Sequence, residues 1–78
     1  MIPDNPDTML TRDQDAAALT AAGFPITAST LATMATRGGG PAYRLFGRKP
    51  LYRWGDSLDW ARGRLSKRIH STSELEAA

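Results

Sequence analysis

The chain has 78 residues, no cysteine, 23% charged side chains and a formal net charge of +2. That length makes one small domain at most; the lack of cysteine excludes disulfides and a thiolate metal site, and no apolar run nears the roughly 20 residues that cross a bilayer. The small net charge hides a segregation: residues 1–36 set Asp4, Asp7, Asp13 and Asp15 against Arg12, residues 37–68 set nine Lys or Arg against Asp56 and Asp59, and residues 69–78 hold Glu74 and Glu76, so the blocks total −3, +7 and −2.

Clustered basic charge in so small a domain points to a polyanion partner. The first residues, MIPDNPDTML, lack the basic start and apolar stretch of a secretory signal. A cytoplasmic, nucleoid-associated protein is expected, with no membrane partner.

Residues 1–9 are expected to form a disordered tail, because prolines, aspartates and an asparagine offer little to pack. Thr11 and Gln14 have capping-box spacing and predict a helix from Arg12 to Ala22, stopped by Gly23. Ala16 and Leu19 are its inward pair. Asp13 and Asp15 are read as exposed first-turn acids that oppose the helix dipole.

Phe24-Pro25-Ile26 makes a short connection. Thr27 then caps a second helix that runs to about Thr36 and ends at Gly38. Ala28, Leu31, Met34 and Ala35 share its inner face, with Ser29, Thr33 and Thr36 opposite and Arg37 beside them. Gly38-Gly39-Gly40-Pro41 breaks the helix. Two strands follow, Tyr43 to Phe46 and Leu51 to Trp54, around a turn of Gly47-Arg48-Lys49-Pro50. A third helix starts near Gly55 or Asp56, with Asp56 placed to cap it or to oppose its dipole and Leu58, Ala61 and Leu65 on one face. Gly63 favours an early end. Phe46, Tyr52 and Trp60 are assigned to the core, with Trp54 left open. The domain spans 10–65, and 66–78 form a flexible tail.

A helix presenting Ser29, Thr33, Thr36 and Arg37, capped by Thr27, suits a major groove. Short hydroxyls permit close approach, and arginine can bridge guanine. A hairpin tip with Arg48 and Lys49 reaches phosphates or a minor groove. No catalytic set is visible and no cofactor is expected. His70 stands alone in a polar tail, Asp56 and Asp59 are explained by a helix start, Ser29 has no base near it, and the glycine run lacks the Lys-Ser/Thr of a phosphate loop. The chain is therefore read as a non-enzyme.

Taken together, helix-turn-helix, Gly38-Gly39-Gly40-Pro41-Ala42-Tyr43, Phe46-Gly47-Arg48, Tyr52-Arg53 and Asp56-Ser57-Leu58-Asp59-Trp60 resemble the small excisionases and AlpA-type proteins, which are MerR-like winged helix-turn-helix DNA binders. The likeness covers about Leu10 to Leu65. Trp54-Gly55 and Ser57 depart from it, where Pro-Glu and an apolar residue are usual. It implies an α+β fold of three helices with a two-stranded β-hairpin wing. It also implies a recombination directionality factor that binds and bends attachment-site DNA cooperatively and steers an integrase or other recombinase toward excision of a mobile element. The family's transcription regulators are the alternative, and an antitoxin or protein-interaction adaptor is the alternative of another class. By this resemblance the second helix is the recognition helix, with Ser29, Thr30, Thr33 and Arg37 facing the major groove, and 47–50 is the wing, with Arg44 and Arg53 as phosphate contacts. Self-association on DNA would follow, with Ile69 and Leu75 as candidate protomer contacts.

Overall fold

The computed structural model describes residues 2–66 and 68–71. Its elements run β1 (Met9–Thr11), α1 (Arg12–Ala21), α2 (Ala28–Arg37), β2 (Arg44–Phe46), β3 (Lys49–Arg53) and α3 (Trp54–Gly63). The fold is α+β: three helices and an antiparallel sheet ordered β1-β3-β2. The sheet has three strands rather than the expected two. The third is β1, three residues paired Met9 with Arg53, Leu10 with Tyr52 and Thr11 with Leu51.

The helix ends follow local chemistry. The Thr11 side chain accepts from the Gln14 amide, and the Gln14 side chain accepts from the Thr11 amide, closing the capping box. Thr27 accepts from the Thr30 amide and opens α2. Between the helices, the Thr20 hydroxyl donates to the Ile26 carbonyl and accepts from the Ile26 amide, which pins the connection.

The third helix starts differently from expectation. Arg53 holds its N-cap position and makes no capping bond there. The first amides of α3 are instead met by backbone: Trp54 N–H donates to the Thr8 carbonyl at 2.9 Å and Gly55 N–H to the Pro6 carbonyl at 2.8 Å. Residues 6–8, expected to be loose, thus replace a side-chain cap. Asp56 turns back to Arg53 at 3.0 Å.

The core joins Leu10, Ala18, Leu19, Trp54 and Ala61, with Phe24, Ile26, Leu58 and Trp60 packed against them. Leu31 and Tyr52 are also buried. The sequence placed Tyr52 and Trp60 correctly, and Trp54 joins them. Phe46 does not: it is 77% exposed. Leu65 lies past the end of α3 and is exposed, so the expected 58–61–65 face loses its last member. Asp15, read as exposed, is completely buried between α1 and α3, where its Oδ2 accepts from the Ser57 hydroxyl at 2.8 Å. Among the described residues, no helix is long and apolar enough to cross a membrane.

Candidate nucleic-acid interface

From Ala16 through Gly55 the chain carries no carboxylate side chain, while Arg37, Arg44, Arg48, Lys49 and Arg53 all fall within that stretch. It contains α2 and the whole β2–β3 hairpin. Both elements therefore lie in a positive field that no side chain of their own offsets.

On α2, Leu31 is buried and Ala28, Met34 and Ala35 are half-buried, whereas Thr27, Ser29, Thr30, Thr33, Thr36 and Arg37 are exposed. The two faces separate as the 3.6-residue period requires. The hydroxyls are already oriented. Thr33 Oγ1 donates to the Ser29 carbonyl at 3.1 Å and Thr36 Oγ1 to the Ala32 carbonyl at 3.3 Å, and the Thr27 and Thr30 hydroxyls lie 3.0 Å apart. With those protons turned into the helix, Thr33 and Thr36 have their lone pairs and methyl groups left for an outside partner. Hydroxyl lone pairs and methyl groups are the kinds of group that can accept from base amines and pack on thymine methyls. Arg37 supplies the one long cation, at the C-terminal end where the helix dipole favours it.

The hairpin pairs Arg44 with Leu51, Leu45 with Pro50 and Phe46 with Lys49. Its turn is shorter than expected, only Gly47 and Arg48, because Lys49 and Pro50 belong to β3. Gly47 has φ +65° and no non-glycine residue among the described residues has positive φ, which is the type II′ pattern with glycine at the first central position. The pair that closes a two-residue loop is hydrogen-bonded and the next pair is not. Pro50 occupies that next pair, and β1 ends opposite Leu51. Its missing N–H therefore has no strand partner to disappoint on either side. Alternation puts Arg44, Phe46 and Lys49 on one face of the ribbon and Leu45 on the other. Arg44, Arg48 and Lys49 are exposed.

The wing's root is tied to the body through the glycine run. The Gly39 carbonyl accepts from Trp60 Nε1 at 2.8 Å and from Arg64 Nη1 at 3.2 Å, and the Arg64 guanidinium lies over the Trp60 ring. A Cβ at Gly40 would stand 2.8 Å from Met34 Cβ, so only glycine lets the chain leave α2 this closely. Further along, Tyr43 and Tyr52 meet with ring centroids 5.5 Å apart, and Arg12 stacks over both while its Nε donates to the Tyr52 hydroxyl at 3.0 Å. Sequence reading assigned Arg12 no role. The signal is its position next to a strand that pairs with the one bearing Tyr52, and three residues are too few for β1 to show a period of its own.

Arg53 stands apart from the other basic residues. Its guanidinium is held by Asp7 at 2.7 Å and Asp56 at 3.0 Å, and the Asp7 hydrogen bond is the main reason its pKa rises further. These are the only ion pairs among the described residues. Arg37, Arg44, Arg48 and Lys49 make no ion pair among the described residues. Ile69 is exposed, and Leu75 lies outside the described residues. The described residues hold no cluster of His, Cys, Asp or Glu that could bind a metal ion. Compared with known proteins, the chain matches no family model and no curated protein.

Proposed function

We propose that the protein binds duplex DNA as an architectural factor of the excisionase type. In this reading α2 lies in the major groove through Ser29, Thr30, Thr33, Thr36 and Arg37, and the hairpin crosses the backbone with Arg44, Arg48 and Lys49. The observation that carries it is the acid-free stretch, which joins an exposed hydroxyl-lined helix to an exposed basic wing on a winged helix-turn-helix frame. Integrase partnership and cooperative self-association rest on the family resemblance alone. The test is binding to duplexes of several sequences. Arg48→Ala/Lys49→Ala should weaken all of them about equally, because phosphate contacts carry no sequence information. Arg37→Ala should instead relax the preference among sequences. If both variants bind as wild type does, the assignment falls.

A second reading, a protein-interaction module, is favoured by one feature. An apolar groove of about 700 Å³ runs between the α1–α2 connection and the end of α3, past Phe24, Ile26, Met34 and Leu65. That reading expects no affinity for duplex DNA at low salt.

A further inference from the structure

The hairpin's end carries two large apolar side chains that folding leaves in water: Leu45, 64% exposed, and Phe46, 77% exposed. They are consecutive, so they project from opposite faces of the ribbon. Each lies within a pair of the type II′ turn, and neither face is covered by another element at that point. Around them stand Arg44, Arg48 and Lys49, all exposed and none ion-paired.

We propose that Phe46 is a wedge that enters a base-pair step of duplex DNA from the minor groove, with Leu45 against the groove wall. The proposal rests on the DNA-binding reading above and adds a mechanism for bending. Three observations select this occupant. The ring's immediate neighbours are cations, so the surface it approaches is a polyanion; an apolar protein patch would have to bury those cations unpaired. A tight two-residue turn makes a narrow ribbon end, with a basic residue in the turn itself to meet phosphates. Apolar groups on both faces of one ribbon suit a slot with two walls, whereas a lipid surface meets one face. Apolar side chains inserted from the minor groove unstack the step and kink the duplex toward the major groove. A stacked aromatic ring contributes without adding charge. Phe46 and Arg48 therefore differ in kind: one should set the bend and the other the salt dependence.

The test uses the full chain, a 40-bp duplex containing TA steps and labelled at both ends for energy transfer, and vesicles containing anionic lipid. Wild-type protein should bind the duplex and shorten its end-to-end distance. Phe46→Ala should keep the circular dichroism spectrum, weaken binding about five- to tenfold, leave the salt slope unchanged and lose most of the shortening. Phe46→Trp should restore the bend. Arg48→Ala should reduce the salt slope by about one and retain the bend at saturation. If Phe46→Ala binds and bends as wild type does, the wedge is refuted while DNA binding stands. Phe46-dependent binding to vesicles with Phe46-independent bending would likewise refute it and assign the tip to a lipid surface. If wild-type protein binds no duplex at low salt, the DNA reading fails and takes the wedge with it.

Discussion

Asp15 is the residue whose environment departs furthest from its chemistry. Burial raises its carboxyl from 3.8 to about 6, and the Ser57 hydrogen bond lowers it only in part. Its other oxygen, Oδ1, has no partner among the described residues. The folded protein therefore holds a proton that the unfolded chain releases. The contribution to stability is fully present below pH 3.8 and is lost as pH rises through about 6. By pH 7 the loss approaches about 3 kcal/mol, at about 1.4 kcal/mol per pKa unit. Asp15→Asn should remove this dependence and make the protein about 1–2 kcal/mol more stable at pH 7, since part of the gain is offset by an amide donor left without a partner. Ser57→Ala should do the reverse, pushing the Asp15 carboxyl higher and steepening the fall in stability. Denaturant unfolding from pH 3.5 to 7.5 measures both. A flat wild-type profile with no gain in the asparagine variant would disprove the account. Nothing near Asp15 in the chain reveals this burial. Asp13 and Asp15 look alike as first-turn acids, and the partner that separates them lies 42 residues away.

At the scale of elements, legibility follows the range of the interactions. The caps at Thr11 and Thr27 close within three residues, so their spacing announces α1 and α2. The turn at Gly47 is equally local. β1 is three residues long and has no periodicity of its own; it exists because β3 offers an edge. The capping of α3 is illegible for the same reason, since its orphan amides find carbonyls at Pro6 and Thr8 rather than a nearby side chain. The residue type of Phe46 favours burial, but whether a hairpin overhangs the body is settled by the packing of the whole domain, which leaves the ring exposed. The N-terminal segment gives this contrast a measurable form. If residues 1–7 are a passive tail, removing them leaves stability unchanged. The contacts predict a loss of about 1–2 kcal/mol, mostly from the Gly55 amide bond, because the solvent-screened Asp7–Arg53 ion pair adds little. Asp7→Ala alone should therefore cost less than the truncation, and thermal melts of the two variants side by side decide it.

For the whole molecule, the sequence counts charges and the fold decides which of them face outward together. A chain with +7 over residues 37–68 invites a forecast of about four to six phosphate contacts and a log affinity–log salt slope of roughly −4 to −5. The fold trims that number. Arg53 already satisfies two carboxylates, and Arg64 donates to the Gly39 carbonyl while lying on Trp60. Arg37, Arg44, Arg48 and Lys49 remain for α2 and the wing. At about 0.9 per neutralised phosphate, four such contacts give a slope near −3.6. Replacing any one of the four by alanine should flatten it by about 0.9. Arg53→Ala should leave the slope unaltered and act on stability alone, because what it loses is Asp7 and Asp56. An Arg53 variant that flattens the slope as much as an Arg44 variant would mean that DNA displaces both carboxylates. The N-terminal segment would then be released from α3 on binding, and Asp7→Ala should in that case tighten binding. Affinity measured from 50 to 300 mM salt for Arg44→Ala, Arg53→Ala and Asp7→Ala separates a fixed Arg53 clamp from one that opens.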